Sequence, residues 1–381
     1  MAKKAYIGVN GVARKIKKGY VGVDGLARKI KKAYIGIGGV ARPCWSGGTL
    51  TYYGTLEPLP DQWYDQAATT VGEYALFAGG PYSSNKVIAY NESLTQIAVD
   101  NLTVSRKYNP AATTVGNYAV VGGGNSSDGR FDIYDASLTH QISTFESPVK
   151  RYYLAATTVG NYGVFAGGGR DASSETDRVD YCDDSLTFSA GRVLKSPRSY
   201  LAATTVGEYA LFAGGGYYSK VVDVYDASMT QLNRSDYLRT ARRELAATTV
   251  GEYALFAGGQ SASRIYTDIV DAFDVSLTRL DSVTDLYDDC ANIPATTIEE
   301  FAIFAGGRYL PSDSNAGIGI NTVVVYDASL VRKLHFGELS KARGSGAATT
   351  LKNFAIIVGG VGRASGAGYD EPNTVDVFTV I

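Results

Sequence analysis

The chain has 381 residues, 45% of them hydrophobic and 19% charged, so it can bury a sizeable core and has room for two or three domains. Its 44 glycines and 28 tyrosines, with only two methionines, favour short strands joined by tight turns over a helical bundle. No apolar stretch is long enough to span a membrane, and the first residues lack the apolar core of a secretory signal. We therefore expect no membrane partner, no transmembrane segment and no signal peptide, and a cytoplasmic or virion-associated location.

The net charge of −2 conceals an unequal distribution. Residues 1–48 contain eleven basic side chains and one acidic side chain, which gives +10. The rest of the chain, from residue 49 to residue 381, therefore carries −12. An asymmetry of this size predicts two modules, a basic one at residues 1–48 and an acidic one at residues 49–381.

The basic module is built from three copies of one short, evenly spaced repeat. Each copy opens with a Lys-Lys pair, at Lys3, Lys17 and Lys31. Each also contains a two-residue turn signal between β-forming residues, at 10–11, 24–25 and 38–39. We expect three β-hairpins in one small meander, with Val9 opposite Val12 and Ala5 opposite Ile16. Such a module is too small to be stable alone, which predicts packing against the propeller, another subunit or a larger assembly as a possible assembly partner.

These Lys-Lys-Ala-Tyr-Ile-Gly-Val repeats resemble the N-terminal arms of phage or prophage structural proteins of Gram-positive bacteria. The resemblance implies a tail-associated or receptor-binding component. The residues alone leave three roles open for the arm: a solvated surface, an assembly or docking element, and nucleic-acid binding. The regular hairpin spacing and the few aromatic residues make nucleic acid the weakest of the three.

A second repeat fills the rest of the chain. Seven copies of an Ala-Ala-Thr-Thr-Val phrase begin at residues 67, 111, 155, 202, 246, 294 and 347. In all seven copies a Gly-Gly pair follows at the same distance from the start of the phrase, as from Ala67 to Gly79. An aromatic residue, usually followed by Asp, and a Ser-Leu-Thr sequence come next, so that each unit contains four short strands.

Each strand has a composition that suits one place in a radial sheet. The Ala-Ala-Thr-Thr-Val strand is small and β-branched, as an innermost strand must be where several sheets converge. The second strand is apolar on both faces, the third alternates, and the fourth is polar and should be outermost. The sequence thus predicts an all-β, seven-bladed β-propeller. The chain ends in a third strand, so we expect a strand at about 49–58 to complete the last blade.

The Gly-Gly pairs, the Tyr-Asp pairs and a basic residue four positions before the inner strand make residues 49–381 similar to the kelch-repeat family. The resemblance implies kelch-like, four-stranded blades of about 48 residues each, close to the roughly 50 expected for that family. The outer-strand Trp of the family is absent here.

One face of the propeller is the candidate binding face. The interval from the Gly-Gly pair to the third strand varies most between the copies, and these loops emerge beside the connections from fourth to first strands. Those connections are rich in cations and aromatic rings, which would suit a carboxylate-bearing peptide or an acidic glycan. The candidate ligand-binding residues are Trp63, Tyr64, Lys107, Tyr108, Arg151, Tyr152, Arg198, Tyr200, Arg242 and Arg343. The alternative is that the arginines brace neighbouring turns.

No set of residues typical of an enzyme stands out. His140 and His335 fall on predicted outer strands, where we expect solvated side chains. The three cysteines lack metal-ligand spacing, and we expect buried free thiols. We therefore predict no metal, no cofactor and no catalytic residue.

We expect a non-catalytic binding or structural protein whose propeller face binds a protein or glycan ligand. The alternative is a glycan-active propeller hydrolase or lyase, which predicts acid, Tyr and Arg side chains converging at the mouth of the ring.

Overall fold

The computed structural model of the protein describes residues 6–9, 12–15, 19–23, 26–30, 32–37, 40–46, 48–80, 85–125, 127–170, 173–233, 237–310, 317–333, 337–363, 369–370 and 373–381. Side chains are described from residue 48 onward, apart from those of residues 263, 363, 369 and 370. The contacts divide the chain into two compact units, residues 1–51 with 380–381, and residues 52–379.

The first unit contains three antiparallel hairpins. They pair Tyr6–Val9 with Val12–Lys15, Gly19–Val23 with Leu26–Ile30, and Lys32–Ile37 with Val40–Ser46. Val9 lies opposite Val12, as predicted, whereas Ala5, Ile16 and the three turns lie outside the described residues. Within the described part of the arm the hairpins form three separate two-stranded sheets, so the predicted single meander is wrong.

The described residues of the second unit form seven blade sheets, called blades 1–7 in chain order, and one small hairpin that pairs Gly362–Arg363 with Tyr369–Asp370. Blade 1 contains strands Ala67–Val71, Tyr74–Ala78, Val87–Asn91 and Gln96–Ala98. Blade 2 contains Ala111–Val115, Tyr118–Gly122, Arg130–Asp135 and His140–Glu146. Blade 3 contains Ala155–Val159, Tyr162–Ala166, Arg178–Cys182 and Phe188–Val193. Blade 4 contains Ala202–Val206, Tyr209–Ala213, Val222–Asp226 and Gln231–Leu232.

Blades 5–7 follow the same plan with one deviation. Blade 5 contains Ala246–Val250, Tyr253–Ala257 and Val270–Asp274, and a single bridge between Phe273 and Arg279 stands in for its fourth strand. Blade 6 contains Ala295–Ile298, Phe301–Tyr309, Ile318–Asp327 and Arg332–Lys333. Blade 7 contains Ala347–Leu351, Phe354–Val358, Val375–Val380 and Leu50–Thr55. The outermost strand of blade 7 thus comes from the start of the propeller, which confirms the predicted closure.

The inner strands form a closed ring, since each contacts the inner strands of both neighbouring blades and blade 7 contacts blade 1. Their threonines connect the blades. In each blade the first Thr hydroxyl lies 2.6–3.0 Å from the second Thr hydroxyl of the next blade, for example Thr69 to Thr114 and Thr349 to Thr70. The repeated Thr-Thr sequence therefore forms a continuous ring of hydroxyl hydrogen bonds around the axis.

The other strands follow the predicted order outward, with one correction. The second strands are buried on both faces, and the fourth strands are largely exposed. The third strands are buried as well, although polar and apolar residues alternate in their sequence. In strand Val222–Asp226, Asp223 is buried because it forms an ion pair with the buried Arg198. The apolar core is divided into clusters that lie between neighbouring blades, such as the one that joins Leu211 of blade 4 to Phe256 of blade 5.

No helix in the described ranges is long and apolar enough to cross a membrane, and the single helical element there is a short 3-10 turn at Ala262–Arg264.

Candidate functional site

All four of the predicted ligand-binding arginines are buried. Arg151, Arg198, Arg242 and Arg343 have side chains that are at most 2% exposed, and each is paired with a buried Asp in the third strand of its own blade. The nitrogen–oxygen distances are 2.7 Å to Asp180, 2.8 Å to Asp271 and 2.6 Å to Asp376, and Arg198 pairs with Asp223. The predicted ring of exposed cations is therefore not formed, because these arginines point into the sheets and brace them.

Lys107 does not occupy the corresponding position in blade 2. Arg106, one residue earlier, is fully buried and pairs with Asp132 at 2.7 Å. It also donates to the carbonyls of Gly123 and Arg130. Lys107 is instead partly exposed, with its Nζ 4.7 Å from the centroid of the Tyr108 ring. The prediction that Lys107 is the counterpart of these arginines is thus wrong by one residue.

The remaining two blades replace the buried ion pair with an apolar pair. Blade 1 has Trp63 at the position of the arginine and Ile88 at the position of the aspartate, and both belong to the same core cluster. Blade 6 has Cys290 and Val324 there, again in one cluster. Trp63 is therefore a core residue, 1% exposed, and not a ligand contact. We call the seven residues Trp63, Arg106, Arg151, Arg198, Arg242, Cys290 and Arg343 the brace position.

The brace residue also joins its blade to the preceding one. In all seven blades its carbonyl accepts a hydrogen bond from the second Gly of the preceding Gly-Gly pair, as from Gly215 to Arg242 at 2.9 Å. A Cβ on the first Gly, Gly214, would lie 2.7 Å from the same carbonyl, and Gly214 has a φ of +69°. The Gly-Gly pair is thus required by the close approach of the next blade.

Just beyond the brace position, the connections meet around the axis of the propeller. The seven residues there are Asp65, Asn109, Tyr153, Tyr200, Glu244, Asn292 and Ser345, and we call them the mouth ring. All seven are polar, partly buried and in the left-handed backbone region, with φ between 43° and 58°. Such a conformation is uncommon for residues other than Gly and requires support from the surrounding structure.

Backbone hydrogen bonds between neighbouring blades supply this support. The amide of Glu244 donates to the carbonyl of Tyr200 at 3.0 Å, and the amide of Tyr200 donates to Tyr153 at 2.9 Å. The same bond recurs from Asn292 to Glu244, from Ser345 to Asn292 and from Asp65 to Ser345. The side chains of the mouth ring are therefore held on a rigid frame.

The mouth ring surrounds a cavity of about 170 Å³. Below the ring, the cavity is walled by the apolar side chains of Leu154, Leu201, Leu245 and Ile293. A cavity of this size is smaller than the pocket of a drug-sized ligand, so it would take one terminal group of a ligand.

The mouth ring has two chemically different arcs. On one side, aromatic rings pass from Tyr108 to Tyr152 at a centroid distance of 4.5 Å, from Tyr152 to Tyr153 at 6.2 Å, and from Tyr153 to Tyr200 at 3.9 Å. On the other side lie Glu244, Asn292, Ser345 and Asp65. The Glu244 carboxylate accepts a hydrogen bond from the side-chain amide of Asn292 at 3.0 Å, and its Oε1 lies 3.5 Å from Nε of Arg243. The cavity is therefore bordered by flat apolar surface on one side and by hydrogen-bonding groups on the other.

Asp65 is a mouth-ring carboxyl whose environment favours the protonated form. Burial raises the pKa of its carboxyl to about 6, although hydrogen bonds from Ser345 and Asn109 and the charge of Arg308 act in the opposite direction. Burial and the hydrogen bond with Tyr153 raise the pKa of Tyr200, so its hydroxyl keeps its proton at neutral pH. Asp65 can thus exchange a proton near neutral pH, whereas the tyrosines serve as hydrogen-bonding groups.

The other residues singled out in the sequence have structural environments. His140 lies on the outer strand of blade 2, but its Nε2 is 2.9 Å from Asp132 and its ring stacks on Tyr134, so the expected solvated side chain is wrong. His335 lies outside the described residues. Cys182 and Cys290 are buried free thiols, as predicted, and the side chain of Cys44 is not among those described. Within the part of the chain that the structure describes, no group of three or more His, Cys, Asp or Glu side chains could hold a metal ion.

Of the predicted site residues, only Tyr200 belongs to the mouth ring itself. Tyr152 and Tyr108 extend its aromatic arc, and Tyr64 is a partly buried neighbour of Asp65. The prediction missed the other six members of the mouth ring, since it selected the basic and aromatic residues that recur in the connections. The available signal was the opposite one: the position two residues before each Ala-Ala-Thr-Thr-Val phrase is polar in every copy but carries five different residue types.

The fold and the site define a seven-bladed β-propeller with a polar pocket on its axis. No protein-family model matches the chain, and no curated protein sequence matches it. Among solved structures, the chain is similar to "Structure of YjhT", with 12% sequence identity and a TM-score of 0.57. The match covers 85% of this chain and 99% of that one. At this level of identity the similarity supports the propeller fold alone.

Proposed function

We propose that the propeller is a carbohydrate-binding protein that takes the terminal sugar of a neutral glycan into the mouth ring. The observation that carries the proposal is the pairing of the aromatic arc with the polar arc around a small cavity. A sugar ring has an apolar C–H surface and a rim of hydroxyl groups, so it can pack against the aromatic arc while its hydroxyls bind Glu244, Asn292 and Asp65. The carboxylates and the buried arginines do not favour the acidic ligand that the sequence predicted.

The proposal is tested by a glycan array with the full-length protein and with residues 49–381. We expect neutral glycans to bind both, and Tyr200→Ala to abolish the signal. Tyr53→Ala is the matched control, because Tyr53 is 56% exposed on the outer strand of blade 7. Equal binding by the wild type and Tyr200→Ala would contradict the proposal, as would selective binding of acidic glycans or of peptides.

A glycan-active hydrolase or lyase is the second candidate. The observation in its favour is the convergence of Asp65, Glu244 and two tyrosines on one cavity, with the pKa of Asp65 raised to about 6. Such a carboxyl could donate or accept a proton at a glycosidic bond near neutral pH. Release of new reducing ends or unsaturated products, lost in Asp65→Asn while binding persists, would identify an enzyme. Binding without turnover agrees with the non-catalytic function that we favour.

We propose that the blades of the propeller are kelch-like. For the N-terminal arm we propose an assembly role in a virion or a similar particle. Three evenly spaced hairpins with a charge of +10 suit repeated contacts with an acidic protein surface. Light scattering of the full chain and of residues 49–381 tests this role. We expect a larger species with the arm present and its loss in high salt, whereas monomers in both samples would contradict it.

A further inference from the structure

Among the residues that the structure describes, the face around the mouth ring is asymmetric in its exposed apolar side chains. Tyr217, Ile265 and Tyr309 are 82%, 62% and 40% exposed. Tyr217 and Ile265 lie in the loops between the second and third strands of their blades, and Tyr309 is the last residue of the second strand of its blade. These are blades 4, 5 and 6. In the corresponding loops of blades 1–3, the described residues include no large exposed hydrophobic side chain.

Arg243, in the connection between blades 4 and 5, links this exposed sector to the mouth ring. The guanidinium of Arg243 lies 5.4 Å from the ring centroid of Tyr200 and 5.0 Å from that of Tyr218. It also donates to Oε1 of Gln260 at 3.1 Å, and the Tyr218 hydroxyl lies 3.4 Å from the same oxygen. Tyr200, Arg243 and Tyr218 thus form a continuous path from the cavity to the outer loop of blade 4.

The loop that carries Tyr217 is held in a fixed shape. Its flanking residues Gly216 and Tyr218 both have positive φ, at 57° and 58°, and the amide of Ser219 donates to the carbonyl of Gly215 at 2.8 Å. Tyr218 packs back against Arg243, whereas the adjacent Tyr217 projects into solvent. An exposed tyrosine on a fixed backbone offers a large contact area and loses few side-chain degrees of freedom on binding.

We infer that Tyr217, with Tyr309 beyond it, forms an outer subsite for the second and later sugar units of a glycan chain whose end occupies the mouth ring. This inference rests on the proposed carbohydrate-binding function and adds a direction: the chain leaves the cavity over blades 4–6. Exposed aromatic rings on this side of the mouth ring can stack on the apolar faces of successive sugar rings. The preferred ligand is therefore an oligosaccharide.

The experiment measures affinity against chain length by calorimetry. The probes are two ladders of neutral oligosaccharides, of β-1,4-linked glucose and of β-1,4-linked N-acetylglucosamine, from one to six units. For the full-length wild type we expect at least one ladder to bind. Its affinity should rise about tenfold between one and four units, which is the gain expected from one aromatic contact. In Tyr217→Ala that gain is lost while the affinity for the single sugar is unchanged, and Tyr53→Ala behaves as wild type.

The possible failures are distinguishable. Binding of single sugars with no gain along the ladder, or a gain that persists in both Tyr217→Ala and Tyr309→Ala, overturns the outer subsite and leaves the proposed function intact. No binding of either ladder overturns both. Binding of a peptide that the wild type shows and Tyr217→Ala loses, with sugar affinities unchanged in that variant, would assign this surface to a protein partner and overturn the inference.

Discussion

The brace position and the mouth ring are close neighbours in every connection between blades, yet they behave in opposite ways. The brace position is arginine in five blades, and each guanidinium is buried against an aspartate of the third strand. The mouth ring uses five residue types in seven blades, all of them polar and partly exposed around one cavity.

This difference separates support from recognition. A position that every blade needs for its own stability is occupied by the same residue, or it is exchanged together with its partner, as in Trp63 with Ile88 and Cys290 with Val324. A position that faces a single shared cavity is under a different constraint, since seven identical side chains could not recognise an asymmetric ligand. In a repeat protein, variation at a fixed and exposed position therefore indicates the binding site.

Breaking a brace should have the largest effect. In Arg198→Ala the Asp223 carboxylate stays buried without its partner, which should lower the free energy of unfolding by about 3–5 kcal/mol. Urea denaturation followed by tryptophan fluorescence and circular dichroism measures this change. A loss below about 1 kcal/mol would show that the pair does not support the blade.

The apolar braces provide a control within the chain. The double variant Arg242→Cys/Asp271→Val copies blade 6 into blade 5, and its loss of stability should be smaller than that of Arg242→Ala alone, because no buried charge remains unpaired. If the double variant were less stable than Arg242→Ala, the two kinds of brace would not be interchangeable.

Removing an aromatic ring of the mouth should affect binding and leave the fold in place. We expect Tyr200→Ala to weaken binding of a neutral glycan by more than about 1 kcal/mol, since the ring both stacks on Tyr153 and borders the cavity. Calorimetry gives the affinity, and a thermal melt shows whether the fold is kept. Tyr200→Phe, which retains the ring, should bind more tightly than Tyr200→Ala; equal losses in both variants would place the effect on the hydroxyl.

A smaller effect is expected from the threonine ring. The Thr205 hydroxyl is 2.8 Å from that of Thr157 and donates to the carbonyl of Thr158 at 2.5 Å. Thr205→Val keeps the shape and removes these bonds, so the free energy of unfolding should fall by about 1 kcal/mol. Glycan affinity should not change. A loss of affinity in this variant would mean that the inner ring and the mouth ring are coupled.

The smallest effect concerns pH. Asp65 should lose its proton near pH 6, and a carboxylate accepts stronger hydrogen bonds from sugar hydroxyls than a neutral carboxyl, so affinity should rise a few-fold between pH 5 and 7. Asp65→Asn should flatten this profile. The effect on folding has the opposite sign. The native pKa lies above the unfolded value of about 3.9, so the contribution of Asp65 to stability falls as pH rises from about 4 to about 6.

Much of the fold could be predicted because the repeat makes each strand visible seven times. The closure by residues 50–55 followed from a missing fourth strand, and the Gly-Gly pairs correctly indicated a crowded strand end. The burial of Asp223 and its equivalents could not be inferred from the alternation of the third strand, because the partner of Asp223, Arg198, lies in the connection before the blade. The same five blades carry both the Arg and the Asp, and this co-occurrence indicates a pair. It can be recognised as one only when the two residues are known to face each other in the fold.

The candidate site was predicted only in part for a related reason. Tyr200 and its neighbours were found because aromatic residues are conspicuous in the connections. Asp65, Asn292 and Ser345 look like ordinary turn residues, and only the convergence of seven connections on one axis brings them together.

Closure of the ring has a kinetic consequence for the site. Asp65 comes from the first blade and Ser345 from the last, and the amide of Asp65 donates to the carbonyl of Ser345 at 2.8 Å. Almost the whole propeller separates these two residues in sequence, so this part of the mouth ring can form only after blade 7 has been synthesised and the two ends of the ring have met. A sugar held between them would act as a latch on the ring, slowing its opening and raising the unfolding temperature as ligand occupancy increases.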